Sequence, residues 1–244
     1  MRSVAARPWW SRPLEIAGIT AFLTFAVLVA ERLLSVLVGP PDWAVAALAV
    51  PVGYLAADFI SGFVHWMADR FGSPDTFFVG PKFVQPFRDH HVRPTEITEH
   101  DVVETNGDNC LISFWVLGVV WCWWPAEPGE AIGIFGLSLA LSSMLAIMAT
   151  NQIHKWAHMA EPPRGVRLLQ RFGLILSPEM HSIHHTSPFD TYYCITTGWL
   201  NWILARLRFF EALERLALRL FGLVAGAADA PAIEADVAPG PERV

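Results

Sequence analysis

The chain has 244 residues, of which 53% are hydrophobic and only 16% are charged, and its mean hydropathy is +0.38. This composition argues against a soluble protein. Much of the net charge of -6 comes from an acidic tail, and the basic residues upstream cluster in particular loops, so we expect no nucleic-acid partner. The three cysteines, Cys110, Cys122 and Cys194, are widely spaced and form no disulfide framework or cysteine-based zinc motif.

Four segments are apolar enough to span a bilayer, which takes roughly 20 residues per helix. They cover about 14–38, 43–66, 110–125 and 131–153. Pro51 predicts a kink in the second segment. The third segment is short, and its Trp-rich end is typical of a membrane interface. The sequence therefore predicts an all-α protein, an integral membrane four-helix bundle.

The distribution of Lys and Arg sets the predicted orientation. The turns at 39–42 and 126–130 contain no basic residue, and of 17 basic residues all but Arg32 fall on the opposite face. Positive charge marks the cytoplasmic side, so residues 1–13 form a cytoplasmic N-terminal segment and both termini are inside. A bacterial inner membrane is favoured over the endoplasmic reticulum.

The C-terminal part of the chain changes character twice. Over about 206–224, Leu and Phe recur at helical spacing opposite Arg and Glu, which predicts an amphipathic helix on the membrane surface or packed on the cytoplasmic part. Residues 225–244 are rich in Ala, Pro and Glu and cannot bury a core, which predicts disorder.

All nine histidines fall on the predicted cytoplasmic face. They are His65, His90, His91, His100, His154, His158, His181, His184 and His185. The patterns H-x-x-x-H in "HKWAH" and H-x-x-H-H in "HSIHH" place imidazoles on one helix face. Adjacent pairs, as at 90–91, suit ligands for two metals or for two sides of one metal. A cytoplasmic helical cap carrying a histidine-rich di-metal site is predicted.

The residue types alone leave the metal open. A catalytic zinc takes about three protein ligands, and nine histidines are too many for one ion but fit two. Imidazole suits zinc, copper, nickel and iron alike. Two b-type haems would use four histidines, which would face each other within the bilayer. A membrane zinc hydrolase and a metal or haem carrier therefore remain alternatives.

Long stretches around these histidines resemble a known family. "ADFISGFVHWMADRFGSPD", "FRDHHVRPTEITEHDVVETNGDN", "NQIHKWAH" and "HSIHHTSPFDTYYCITTGWLN" resemble the plasmanylethanolamine desaturase family, and more broadly the histidine boxes of membrane fatty-acid desaturases and hydroxylases. The resemblance runs from about residue 53 to 205, so 14–205 is expected to be a membrane lipid desaturase domain.

The resemblance implies a reaction and its requirements. The 1-O-alkyl chain of an ether phospholipid is desaturated by O2 at a histidine-ligated di-iron centre, giving a vinyl ether. Electrons come from an external cytochrome b5-type or ferredoxin-type donor. The target bond lies near the headgroup, at the depth where the histidines are predicted, and no flavin or nicotinamide fingerprint is visible. Another di-iron lipid desaturase or a hydroxylase would share these features.

Several polar residues are candidates beside the histidines. Asp58 lies inside a span on the face of His65, where it could bond a ligand histidine, meet the ethanolamine ammonium, or pair with a neighbouring helix. Asp69 could orient His65 or ligate metal. The remaining candidates are Asn151, Asp108 and Asn109 around the metal ligands, and Arg88 and Arg93 for the lipid phosphate, although topogenic charge explains both arginines equally well.

Overall fold

The computed structural model describes residues 9–73, 75–77, 80, 84–223 and 225–226. Most of the predicted disordered tail and residues 1–8 of the predicted N-terminal segment lie outside this range. The described residues are helical and contain no strand. The helices are α1 Ser11–Val36, α2 Pro40–Arg70, α3 Gln85–Val92, α4 Val102–Trp123, α5 Ala131–His158, α6 Arg164–Arg171, α7 Pro178–His184, α8 Trp199–Arg206 and α9 Phe209–Phe221.

Three of these helices, α1, α2 and α5, are long and apolar enough to cross a membrane. They correspond to the first, second and fourth predicted segments and indicate a membrane protein. The helix α2 runs without interruption through Pro51, where a kink was predicted. The third predicted segment belongs to α4, which starts earlier because Asp101 caps it, accepting hydrogen bonds from the Val103 and Glu104 amides.

The long helices pack in pairs. Helix α1 lies mainly on α4, α2 on α5, and α4 also contacts α5. Glycines allow the close approach: a Cβ on Gly53 of α2 would lie 2.1 Å from the Ser142 hydroxyl oxygen of α5. Small residues at helix interfaces are what membrane helices use to pack, because burial from lipid supplies no hydrophobic gain.

A non-helical segment runs along α2 and positions the site. The Ile195 amide donates to the Ser61 hydroxyl, and a Cβ on Gly62 would meet the sulfur of Cys194 at 2.5 Å. Farther down α2, Asp58 accepts hydrogen bonds from the amides of Thr197 and Gly198, at the end of this segment, and of Leu200, in the first turn of α8. Irregular backbone beside a membrane helix requires such partners, since lipid offers none.

The predicted amphipathic helix over 206–224 is divided in the structure. Helix α8 ends at Arg206 and α9 begins at Phe209, because Arg208 adopts a left-handed conformation with φ 51°. Phe210 is buried on Trp66 of α2, whereas Leu216, Leu218 and Phe221 are exposed. The helix that begins at Phe209 therefore has one face against the protein and an apolar face that is open.

Candidate metal centre

The structure gathers eight of the nine histidines and one aspartate into two adjacent clusters. The five-histidine cluster contains His90, His154, His158, His181 and His185. The three-histidine cluster contains His65, His91 and His184 together with Asp69. In each cluster the potential ligand atoms lie within 4.8 Å of one another.

The sequence spacing explains how the clusters form. His154 and His158 lie one turn apart at the end of α5, and His181 and His185 lie one turn apart at the end of α7, so each pair projects into the same cluster. Neighbours in sequence are divided between the clusters. His90 and His91 at the end of α3 enter different clusters, and so do His184 and His185.

The nitrogens of the five-histidine cluster lie about as far apart as two nitrogens that bind the same metal ion. His181 Nε2 lies 2.8 Å from His154 Nε2 and 3.0 Å from His185 Nε2, and His158 Nε2 lies 3.3 Å from His154 Nε2. Two nitrogens bound at about 2.1 Å to one ion, at right angles or tetrahedrally, are about 3.0 to 3.4 Å apart. A neutral imidazole nitrogen is either donor or acceptor, so hydrogen bonds alone cannot satisfy this chain of contacts.

The three-histidine cluster is built around a carboxylate. Asp69 Oδ2 lies 3.4 Å from His65 Nε2, 3.3 Å from His91 Nε2 and 3.5 Å from His184 Nε2. Among the described residues, neither oxygen of Asp69 has a hydrogen-bond partner, and nor does His65 Nε2. Buried polar atoms normally have a hydrogen-bond partner. Because these atoms have none and point toward one another, they indicate that a cation belongs between them.

Backbone carbonyls fix the tautomers of two ligands. His65 Nδ1 lies 3.1 Å from the Tyr193 carbonyl oxygen, and His184 Nδ1 lies 2.8 Å from that of Thr191. A carbonyl only accepts, so each Nδ1 carries the proton and each Nε2 presents its lone pair to the cluster. The loop that supplies both carbonyls is strained, since Phe189 and Tyr192 have φ of 60°.

Burial keeps the loop and cap histidines neutral. Burial, reinforced by neighbouring imidazoles, holds the pKa of His90, His181 and His184 well below the ordinary value. Burial together with His158 and His91 lowers the pKa of His185 to about 3. Neutral imidazoles are the form that binds a metal. The donor set of imidazoles plus one carboxylate fits two iron ions, as it fits other first-row metals.

The match to known proteins decides the family. Residues 54–227 match the lipid desaturase domain. The chain belongs to the lipid desaturase family. It is 43% identical to plasmanylethanolamine desaturase of Myxococcus xanthus over 92% of this chain and 84% of that protein. No solved structure matches it significantly.

Two further relatives show how the family varies. Plasmanylethanolamine desaturase 1 of Mus musculus is 43% identical over 72% of this chain and 66% of that protein. Fatty acid desaturase 4, chloroplastic, of Arabidopsis thaliana is 33% identical over 69% of this chain and 50% of that protein. The resemblance inferred from the sequence motifs is thereby confirmed, and this lipid desaturase is an oxidoreductase.

The structure places Asp58 and His100 outside both clusters. The carboxylate of Asp58 is fully buried and accepts hydrogen bonds from the Thr197, Gly198 and Leu200 amides at 2.7 to 3.2 Å. It therefore anchors the start of α8 instead of contacting a ligand histidine. His100 is half-buried, and its Nε2 lies 3.6 Å from Glu104 Oε1. A short 3-10 helix, Glu96–Glu99, turns it away from the clusters.

The predicted amides lie behind the ligands. Asn109 donates to the Ile147 carbonyl and accepts from the Asn151 amide, which joins α4 to α5 one turn before His154. Asp108 lies half-buried on the same helix. Asn109 and Asn151 therefore hold α4 and α5 in register, and neither they nor Asp108 belongs to the two clusters.

The two arginines predicted to bind the phosphate have different partners. Arg88 is half-buried on α3 and donates to the Gly72 carbonyl oxygen. Arg93 is paired with Glu96 at 3.2 Å. Sequence reasoning missed the carbonyls of Thr191 and Tyr193, because backbone groups leave no signal in residue identity. It also missed Glu214, which binds Arg70 and the Trp66 ring nitrogen.

Proposed function

We propose that this lipid desaturase forms the vinyl ether of a plasmalogen from a plasmanylethanolamine. The proposal is carried by two observations together: the chain contains two potential metal-ligand clusters, and it is 43% identical to two plasmanylethanolamine desaturases. In the overall reaction, O2, two electrons and two protons convert the ether-linked CH2–CH2 of the 1-O-alkyl chain into CH=CH and give two waters.

We assign one iron to each cluster. When bound, the two irons would supply the O2 activation that removal of hydrogen from an unactivated carbon needs. Asp69 would contribute the one anionic ligand. The carbonyls of Thr191 and Tyr193 would hold His184 and His65 in the orientation required. Burial of most ligands excludes water, so that the oxidant meets the alkyl chain first.

The membrane arrangement is part of the proposal. Helix α4 would act as a fourth span beside α1, α2 and α5, making a four-helix bundle with a cytoplasmic cap built from α3 and α6–α8. Both termini would be cytoplasmic, in a bacterial inner membrane, with α9 lying on the membrane surface. The clusters at the ends of α2 and α5 would then lie at headgroup depth, near the bond to be desaturated.

Arg88 is the proposed contact for the phosphate of the substrate. Arg88 lies on the helix that carries His90 and His91, so it is the better of the two predicted arginines to contact the phosphate. Arg93 would need to leave Glu96 to do so. Electrons would come from an external cytochrome b5-type or ferredoxin-type carrier.

Lipid analysis of a host without vinyl-ether lipids tests the reaction. Expression of this chain should produce vinyl ethers, and a His184→Ala, His185→Ala variant should not, because it removes one ligand from each cluster. Purified protein should contain iron. Iron-loaded, reduced protein that forms no vinyl ether from plasmanylethanolamine would overturn the substrate assignment; a desaturated acyl chain instead would favour the chemistry named for the Arabidopsis relative. Zinc in place of iron would favour a hydrolase.

A further inference from the structure

Helix α6 carries an exposed row of arginines beside the metal centre. Arg164, Arg167 and Arg171 are all exposed, while Val166 and Gln170 of the same helix are buried. Arg164 and Arg167 lie at the N-terminal end, where positive charge opposes the helix dipole. The stability of α6 therefore does not explain these charges.

The arginines of α6 are among the few basic side chains of the described residues that have no partner. Arg12, Arg70, Arg93, Arg208 and Arg215 pair with carboxylates, Arg32, Arg88 and Lys155 donate to carbonyl oxygens, and Arg206 lies over Trp202. Among the described residues, the basic side chains without an ion pair, hydrogen bond or ring contact are the three of α6 and Arg219. The charge of α6 is therefore concentrated and available.

The position of α6 places this charge next to the five-histidine cluster. Val166 belongs to the same buried apolar cluster as Ile153 and Ala157 of α5, which directly precede His154 and His158. His158 and His185 are only half-buried, in contrast to His154 and His181. A shared buried cluster therefore links α6 to the end of α5, which carries two histidines of the more exposed cluster.

The other exposed face of α6 indicates how the helix is oriented. Leu168, Leu169 and Phe172 are exposed. At about 100° per residue, the buried, arginine and apolar faces are roughly 120° apart. An apolar exposed face is what an interfacial helix buries in the membrane. The arginine face would then point away from the bilayer, toward the cytoplasm.

The segment after α6 supports this orientation. The Leu174 carbonyl accepts a hydrogen bond from the Tyr54 hydroxyl, and the Trp199 ring nitrogen donates to the Gly173 carbonyl. Tyr54 lies 11 residues before His65 on α2, which is about 16 Å farther along the helix axis. The chain after Phe172 therefore continues along α2 toward the middle of the proposed span.

We propose that the arginine face of α6 docks an acidic one-electron carrier protein; this inference rests on the proposed function. Each turnover would oxidise two reduced carriers, and with one O2 and two protons these electrons give the vinyl ether and two waters. Electron-transfer encounters use small interfaces steered by opposite charge. Three unpaired arginines beside half-buried ligands meet that requirement.

Reduction of the iron-loaded protein tests the docking surface directly. The protein is placed in neutral phosphatidylcholine nanodiscs, and an acidic [2Fe–2S] ferredoxin, pre-reduced and freed of excess reductant, is mixed with it anaerobically. The bleaching of the ferric absorbance gives the rate. An Arg167→Glu, Arg171→Glu variant is compared with Arg215→Glu, Arg219→Glu on α9, which changes the net charge equally.

The α6 variant should lose at least about tenfold in rate at low ionic strength and much of its salt dependence, since exposed charges are screened by salt. The α9 variant should lose far less, and a small uncharged reductant should reduce all three proteins alike. Equal losses in the two variants would overturn docking on α6. A loss that appears only in nanodiscs with anionic phosphatidylglycerol would also overturn it, because the arginines would then bind lipid. A protein without reducible iron would overturn the proposed function itself.

Discussion

Asp69 is the only carboxylate in the two ligand clusters that the described residues form. Its Oδ2 lies within 3.5 Å of three imidazole nitrogens, and Asp69, His65 and His184 are almost completely buried. An ion bound there would gain both a ligand and charge compensation from this side chain. The amide of Asn supplies one oxygen and no charge, so a nearly isosteric substitution separates the chemical role of Asp69 from its volume.

Asp69→Asn should empty the three-histidine site while the five-histidine site stays occupied. The loss of affinity should exceed the about 10- to 100-fold that removal of an outer-shell partner costs. Iron analysis of the purified variant should give half the wild-type content, with vinyl-ether formation abolished. The matched control is Asp75→Asn, on an exposed loop away from both clusters. Full iron content in Asp69→Asn would contradict a ligand role.

At the scale of elements, the packing of the non-helical segment on α2 determines how His65 is oriented. Gly62 allows Cys194 to lie against α2, and the preceding carbonyl of Tyr193 then reaches His65. The same segment is anchored lower down by Asp58. A displacement of this segment should therefore change the orientation of His65 without altering any ligand.

Gly62→Ala should both destabilise the protein and weaken one metal site. The added Cβ would lie 2.5 Å from the Cys194 sulfur and 3.1 Å from its backbone nitrogen, and overpacking of this kind costs about 1–3 kcal/mol. Thermal unfolding and iron titration measure the two effects. Gly165→Ala on α6 is the control, because nothing lies within 4 Å of its Cβ position. Unchanged iron affinity in Gly62→Ala would show that the position of the non-helical segment does not affect the metal site.

The sequence predicted those elements whose cause lies in local pattern. Hydropathy located α1, α2 and α5, and the spacing of the histidines predicted that they group into potential metal-ligand clusters. It could not show that His100 turns toward Glu104, since this depends on the short helix before it. It also could not show that the amides of a distant loop satisfy Asp58, because that contact joins positions about 140 residues apart.

At the scale of the whole molecule, the neutral histidines make stability depend on pH. The pKa of His185 is lowered to about 3, and that of His90, His181 and His184 is also lowered, whereas an unfolded histidine titrates near 6.5. Between these values the unfolded chain binds more protons than the folded one. Stability is therefore fully present above about pH 6.5 and falls as the pH is lowered toward 3.

Acidification from pH 7.5 to 5.5 should lower the unfolding temperature of the purified protein and release its metal. Protons compete with metal for the same imidazoles, so the metal-loaded protein should lose more stability than the metal-free protein. Scanning calorimetry of both forms at several pH values measures this. An unfolding temperature that rises on acidification would show that the histidines are charged in the folded protein.

The proposal that α4 is a fourth membrane span can be tested at three exposed glutamates that flank α4 and α5. Glu99 precedes α4, Glu127 lies between α4 and α5, and Glu161 follows α5. If α4 and α5 both cross the membrane, the first and third lie in the cytoplasm and the second lies outside. The exposed Cys122 is first replaced by Ser, which leaves only the buried Cys110 and Cys194.

In that background, Glu127→Cys should react with a membrane-impermeant maleimide in intact spheroplasts. Glu99→Cys and Glu161→Cys should react only after the membrane is permeabilised, because the reagent cannot cross the bilayer. The polar first turns of α4, which distinguish it from α1, α2 and α5, would then lie at the cytoplasmic interface beside the metal centre, where Asn109 and Asn151 join. If Glu99→Cys and Glu127→Cys were both labelled in intact spheroplasts, α4 would not span the membrane. The polar end of α4 and its contacts beneath the five-histidine cluster would then lie outside, which contradicts the proposed cytoplasmic cap.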